Sequence, residues 1–245
     1  TNRSDGFYEN SFLQTKRNNS QDEQAIRGKL SADMADNWQL DLSLSHVNID
    51  NGYDAFTLDN SRTTLSDEPG RDEQESLALA IDSSWQLDKF DLNLIVGLAD
   101  SDMEYSYDED WTFAGIHPDG YMSRDRYVRN RETQSVELRF LSNDSSRLFS
   151  DSTQWLFGIY TLNSDESLKR DYTFLDSEFR SDFSFDTAAV FFQLDTELSE
   201  KLILETGLRL ERRDTTYSDS EMLGFTPSEN LWGGRVAAKY LVSSS

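Results

Sequence analysis

Two neighbouring stretches concentrate side chains that could do chemistry. Arg124-Asp125-Arg126-Tyr127-Val128-Arg129-Asn130-Arg131 is the one local concentration of base in an acidic chain. Planar guanidinium forks bind carboxylates and other anions through two parallel hydrogen bonds, so Arg124, Arg126, Tyr127 and Arg129 are candidates for holding an anionic ligand. The plainer reading turns these arginines to a polar face and pairs them with nearby acids, where exposed pairs contribute little. Just upstream, Asp100–Phe113 sets Asp100, Asp102, Glu104, Asp108, Glu109 and Asp110 among Tyr105, Tyr107 and Trp111. Those three rings join the same candidate ligand-binding set. Carboxylates in alternation are ligands that Ca²⁺ accepts, but their spacing matches no loop of the EF-hand kind. A solvated acidic loop tip accounts for them, and neither metal nor cofactor is expected.

Other chemistries lack their residues. His46 and His117 are the only histidines and fall on different hairpins, and no nucleophile elbow or zinc motif occurs. With 46 acids in the chain, abundance of carboxylates is no evidence for a hydrolytic pair, and the chain is not read as an enzyme. The absence of cysteine rules out disulfides and thiolate metal sites. A net charge of −23 argues against nucleic acid as a partner, because phosphates need a basic footprint. Asn18-Asn19-Ser20 and Asn143-Asp144-Ser145 match glycosylation sequons, a pattern that arises by chance.

The elements that must carry these residues are strands. From Ala188 to Arg212 the even positions read Ala188, Val190, Phe192, Leu194, Thr196 and Leu198, then Leu202, Leu204, Thr206, Leu208 and Leu210 after the turn at Ser199–Lys201. Gln193, Asp195, Glu197, Glu205, Arg209 and Glu211 lie between them. Period two on both arms of a tight turn predicts an antiparallel hairpin with one apolar face. Each arm reaches the 9–11 or so residues that a tilted strand needs to cross a bilayer. Similar strands are expected at Ala25–Leu30, Trp38–Ser45, Leu77–Ile81, Phe90–Leu98, Gln134–Leu141, Trp155–Ile159 and Leu231–Val242. At His46–Ile49 the parity slips, which predicts a bulge or the end of the buried band.

Between the strands, short connections near 35–37, 83–89, 143–154 and 199–201 alternate with polar excursions near 50–72, 100–132, 163–186 and 213–230. Successive turns of a meander lie at opposite ends of the sheet, so all four excursions should emerge at one end, as in outer-membrane barrels. Trp38, Trp85 and Trp155 fall near short turns, where an interfacial girdle would place amphipathic rings. The fold expected is all-β, an antiparallel up-and-down meander of about eight to ten strands forming part of a transmembrane β-barrel. Val190, Phe192, Leu194, Leu198, Leu202, Leu204, Leu208 and Leu210 should face hydrocarbon, and Asp195, Glu197, Glu205 and Arg209 the lumen. Thr1 opens without a signal peptide and the chain stops at Ser243-Ser244-Ser245, so both ends are expected to be cut.

The run Glu197–Glu211, ending Gly207-Leu208-Arg209-Leu210-Glu211, resembles the turn-and-strand pattern of the barrels of TonB-dependent outer-membrane receptors. Asp50–Phe56, Thr63–Gly70 and Glu132–Phe140 are similar to sequence from that family as well. The resemblance covers most of the chain through degenerate strand patterns. It implies a middle portion of the barrel, residues 1–245, in the outer membrane of a Gram-negative bacterium and in contact with its lipid. It implies uptake of a scarce nutrient, with a ferric siderophore the expected ligand and Arg124, Arg126, Tyr127, Arg129, Tyr105, Tyr107 and Trp111 contributing to capture of an anionic ferric chelate. No plug domain and no TonB box is found in the sequence, so contact with TonB is expected only through an N-terminal part absent from it. The competing expectation is a soluble, secreted β-sandwich that binds glycan or a similar ligand, in which a second sheet would cover the apolar face.

Overall fold

The structure, a computed structural model, describes residues 1–16 and 18–242; Ser243-Ser244-Ser245, where an end was expected from the sequence, lie outside the described residues. In chain order the strands are β1 (Asn2–Ser4), β2 (Glu9–Asn10), β3 (Gln21–Ala35), β4 (Trp38–Gly52), β5 (Thr63–Thr64), β6 (Arg71–Gln86), β7 (Phe90–Asp108), β8 (Arg124–Ser142), β9 (Thr153–Tyr172), β10 (Phe179–Ser199), β11 (Leu202–Asp219), β12 (Gly224–Phe225) and β13 (Ser228–Tyr240). A single sheet runs β1-β3-β4-β6-β7-β8-β9-β10-β11, with β12 and β13 both on the far side of β11. Every pairing within it is antiparallel. Only β2 and β5 lie apart, as a short parallel pair among the loops.

Alternation places the apolar side chains on one face, and register aligns them from strand to strand. Leu44 pairs with Leu79 and Leu79 with Leu98. Val96 pairs with Val136, Phe140 with Phe157, Phe157 with Phe192 and Phe192 with Leu208. The resulting band runs from Leu77 to Trp85 in β6, from Phe90 to Leu98 in β7 and from Leu202 to Leu210 in β11. The opposite face carries Asp41, Asp82, Asn93, Glu137, Arg139, Asp195, Glu205 and Arg209, tied together laterally. Asn93 Nδ2 donates to Ser84 Oγ at 2.9 Å, and Arg235 meets Glu205 at 3.1 Å. Phe191 folds over Gly158 on this face, where a Cβ would stand 2.1 Å from the Phe191 ring.

Among the described residues nothing covers the apolar band. Ala189, 4% exposed, is the only apolar residue among the described ones that is buried, whereas Val236 remains 76% exposed and Trp232 79%. Burying one such side chain is worth about 1.5–3 kcal/mol, so a band of this extent in water would be untenable; hydrocarbon is the surrounding in which it is stable. The soluble sandwich fails here, since no second sheet packs on the face. At the short-turn end of the band Trp38 and Trp85 are register partners stacked at 5.9 Å. The Trp38 indole donates to Ser83 Oγ at 2.8 Å and that of Trp155 to the Ser146 carbonyl at 2.9 Å, the amphipathic placement an interface favours.

All four expected excursions emerge at one end, as the connections 53–70, 109–123, 173–178 and 220–227; 36–37, 87–89, 143–152 and 200–201 lie at the other. Their lengths differ from expectation, and the connector 143–152 is longer than 173–178 or 220–227. Much of what reads as loop is strand: β7 runs on from Leu98 to Asp108, β8 begins at Arg124, and β9 and β10 continue through Asn163–Tyr172 and Phe179–Asp186. Beyond the band both faces meet water, so side chains need not alternate although the backbone ladder continues. The parity slip at His46–Ile49 is the end of the band and no bulge, because β4 keeps unbroken register with both neighbours there. The register shifts fall beside short turns, at Asp33/Ala35 and Glu197/Ser199.

Phe192→Arg, at mid-band, is expected to destabilise the bilayer-inserted protein by about 2–4 kcal/mol, while Gln193→Arg on the opposite face costs well under half of that. Guanidinium unfolding in lipid vesicles measures both; equal penalties would contradict the assignment of faces.

Candidate functional site

The strand extensions above the band place the candidate residues. Tyr105 pairs with Tyr127, Met103 with Arg129 and Asp72 with Tyr105. Tyr105, Tyr107, Tyr127 and Arg129 therefore continue the polar face upward. Loop residues close over them: Tyr53 meets Tyr105 edge-on at 4.7 Å, and Phe56 stacks on Trp111 at 5.3 Å. The result is a cleft of about 720 Å³ lined by Tyr53, Phe56, Met103, Tyr105, Tyr107, Trp111, Tyr127 and Arg129, with the acids Asp72, Glu73, Glu104 and Glu109.

Five of the seven candidate residues thus come together, and two do not. Arg124 and Arg126 share the parity of the apolar band and point to the other face. Arg126 is clamped by Glu104, Nε to Oε1 at 2.8 Å and Nη2 to Oε2 at 2.6 Å, and Arg124 stands 4.0 Å from Glu68. Arg129 and Arg131 both turn toward Glu166. Of the arginine forks expected to hold an anion, that of Arg126 is filled by the chain's own acid, while Arg124 and Arg129 each make one longer contact with a carboxylate.

Arg170 of β9 is the residue that the sequence does not reveal. Its Nε reaches Asp125 Oδ1 at 2.9 Å and its Nη2 reaches Oδ2 at 2.6 Å, while the guanidinium lies over the rings of Tyr127 (5.1 Å) and Tyr172 (4.8 Å). Tyr127 and Tyr107 both donate their hydroxyls to Asp125 Oδ2, at 2.9 and 3.3 Å. Burial alone would raise Asp125, but the hydrogen bonds from Arg170 and Tyr127 outweigh it and hold the carboxyl below its usual range. Burial, aided by the Asp125 charge, pushes Tyr107 up to about 12, and burial with the Tyr53 hydroxyl raises Tyr105. Glu73 and Glu104 share the parity of the apolar band and turn their carboxylates to the other face, so the cleft offers neutral phenols and π-faces, with Asp72 and Glu109 as its acids.

The acidic stretch 100–113 is not a solvated loop tip. Asp100, Asp102 and Glu104 lie on β7, and Asp108 and Asp110 are buried where the loops pack. The loops are held mainly by polar contacts: Asn10 Nδ2 donates to the Ser66 carbonyl at 2.7 Å, and Asn18 Nδ2 to the Asp54 carbonyl and Thr64 Oγ1, both at 2.7 Å. His117 sits 2.9 Å from the Asp110 carbonyl, and His46 lies 3.5 Å from Glu75 on the opposite face, so the two histidines share no site.

No family model matches the chain, and no curated protein does. Solved structures do. The ferric yersiniabactin uptake receptor FyuA from Yersinia pestis superposes with a TM-score of 0.75 at 16% identity, over 99% of this chain and 38% of that one. The alcaligin outer-membrane receptor FauA from Bordetella pertussis gives 0.67 at 12% identity, over 91% and 34%. The siderophore receptor PiuA from Acinetobacter baumannii gives 0.67 at 12% identity, over 97% and 42%. These are TonB-dependent outer-membrane receptors, and the likeness shows that the sheet has the fold of their barrel wall. The chain spans roughly two-fifths of the length of the structures it matches.

Arg170→Ala should cost about 1–3 kcal/mol at neutral pH, because it leaves a buried carboxylate without its charged donor. Asp125 is depressed in the folded state, so its stabilising contribution is present above the unfolded-state value and is lost as pH falls through the folded one. The gap between Arg170→Ala and the parent should therefore narrow toward acid pH, and Asp125→Asn added to Arg170→Ala should recover part of the loss. Chemical unfolding of the detergent-solubilised protein at neutral and acid pH checks this.

Proposed function

We propose that the chain forms part of the barrel wall of a TonB-dependent receptor in the outer membrane of a Gram-negative bacterium, one that takes up a scarce small nutrient, most simply a ferric siderophore. The observation that carries the reading is the aromatic cleft, placed on the polar face at the end where the longer loops emerge, where a ligand arriving from outside would first meet the barrel. Ferric yersiniabactin and siderophores are the cargo of FyuA and PiuA, the proteins whose barrel walls share this fold. Contact with TonB would be made by parts of the receptor outside this sequence.

The lining of the cleft suggests how it captures its ligand. Arg129 is the only base lining the cleft, against Asp72 and Glu109, since Glu73 and Glu104 turn their carboxylates to the other face, and it leans toward Glu166 at 3.7 Å. Recognition thus falls to the rings of Tyr105, Tyr107, Tyr127 and Trp111, which stack on flat or aromatic parts of a chelate with little regard to its charge. Arg129 remains the one cation able to orient an acidic group.

Replacing Tyr105, Tyr127 or Trp111 by Ala should weaken binding by about three- to tenfold per ring, whereas Arg124→Ala and Arg126→Ala should leave it unchanged. Uptake and binding of radio-iron-loaded siderophores by cells producing the full-length receptor is the measurement. Loss of binding in the two arginine variants with none in the ring variants would move the site to the opposite face.

A further inference from the structure

Behind the aromatic cleft, the loop 53–70 packs against the end of β7 through groups that lack partners. Asp54 is wholly buried, Asp108 is 1% exposed and Ser66 is wholly buried. Asp54 Oδ2, Asp108 Oδ2 and Ser66 Oγ accept or donate no hydrogen bond. The Ser66 hydroxyl stands beside both carboxyls without the geometry to close a bond to either. The remaining oxygens are used: Asp108 Oδ1 accepts from the Asp110 and Trp111 amides at 3.1 and 3.0 Å, and Asp54 Oδ1 from the Phe56 amide at 3.4 Å. Asp110 is saturated, accepting from Thr112 N, Thr112 Oγ1 and Ser123 N.

A buried carboxylate oxygen needs a hydrogen-bond donor, a proton, a positive charge or a metal ion; Asp110 has its donors, whereas Asp54 Oδ2 and Asp108 Oδ2 have none. Here the charged neighbours acting on Asp54 and Asp108 are themselves acids, Asp110 foremost. An all-oxygen set of two carboxylates and a hydroxyl suits a hard divalent ion, whose larger and more flexible shell of oxygens favours Ca²⁺ over Mg²⁺.

We infer that Asp54, Asp108 and Ser66 form a Ca²⁺ site that fastens the loop 53–70 to the end of β7. No three Asp, Glu, His or Cys side chains among the described residues converge as a metal cluster; the site instead uses two carboxylates and a hydroxyl, with water completing the shell and Asp110 bracing the Asp108–Thr112 turn from outside it. Asp54 lies between the cleft residues Tyr53 and Phe56, and Asp108 sits beside Tyr107 and close to Trp111. The ion would therefore hold the Phe56–Trp111 stack, and with it the roof of the cleft. Cation binding does not depend on which nutrient is taken up, so its test needs no uptake ligand.

The test is a Tb³⁺ titration of the intact, chelator-treated receptor in detergent, exciting tryptophan and reading sensitised Tb³⁺ emission. Trp111, whose amide is bonded to Asp108, is the donor. The expected result is saturable emission that Ca²⁺ displaces and Trp111→Phe reduces. Asp54→Asn and Asp108→Asn should weaken Tb³⁺ binding by at least the ten- to hundredfold or so that loss of an outer-shell partner costs. Ser66→Ala leaves charge unchanged and should also weaken it, which decides the matter if the acid variants do not fold. Asp119→Asn, on the exposed loop, should have no effect. Absence of Ca²⁺-displaceable emission, or emission untouched by the Asp54, Asp108 and Ser66 substitutions, would overturn the assignment and leave a shared proton or a buried water between the two carboxyls.

Discussion

A backbone that crosses hydrocarbon must satisfy every N–H and C=O within the protein, because no water is present to accept or donate. In this chain the antiparallel ladder from β3 to β13 meets that requirement, and it does so independently of side-chain chemistry. Register continues unbroken through Asp100–Asp108 and Arg124–Glu132, where the residues are charged and the band has ended. Side chains are then free to meet two different solvents on two faces. Leu, Val and Phe turn to one, and carboxylates, amides and guanidinium groups turn to the other. The near absence of a buried apolar core follows directly, since such a sheet needs none. The outer edges of β3 and β13 are rows of unpaired backbone groups over most of their length, which only further strand pairing can satisfy in lipid.

The same alternation decides the functional geometry. Adjacent residues of β8 lie on opposite faces, so Tyr127 and Arg129 line the cleft while Arg124 and Arg126 cannot. The polar face above the band is the place where a ring-lined cleft can be both wet and walled. Its rigidity comes from charge-assisted bonds spanning three strands: Asp125 on β8 gathers Arg170 from β9 and Tyr107 from β7. The loops above are assembled on another principle. Asn10, Asp54, Thr64, Ser66, Asp108 and Thr112 are buried there with scarcely an apolar neighbour among the buried residues, so that hydrogen bonds among loop groups hold the roof.

Much of this was readable in the chain. The lanes of Val190, Phe192 and Leu194 and of Leu204, Leu208 and Leu210 face as their parity predicts, because a bilayer demands alternation of every strand inside it. Where the bilayer ends, so does the signal. Asp100–Asp108, Arg124–Glu132 and Asn163–Tyr172 read as polar loops and are strands, since pairing there rests on backbone bonds that leave no mark on composition. Parity alone could have separated Arg124 and Arg126 from Tyr127 and Arg129 once the strand was known to reach that far. The Arg170–Asp125 pair was not accessible in this way, because a partner 45 residues distant is set by register across two strands. Nor could spacing distinguish Asp108 and Asp110 as buried from Asp100 and Asp102 on the strand, a difference created by packing of the distant loop 53–70.

The central claim is that one face of this sheet meets hydrocarbon and the other lines an aqueous interior. The chain contains no cysteine, so single cysteines can be placed at will. Reaction with a charged, water-soluble maleimide in intact outer membranes would compare Phe192→Cys and Leu208→Cys on one face with Gln193→Cys and Glu205→Cys on the other, and with Asp119→Cys on the loop. The account predicts that the first pair stays unlabelled until detergent is added, that the second pair labels in the membrane, and that the loop labels fastest. Equal reactivity of residues 192 and 193 in the membrane would contradict it.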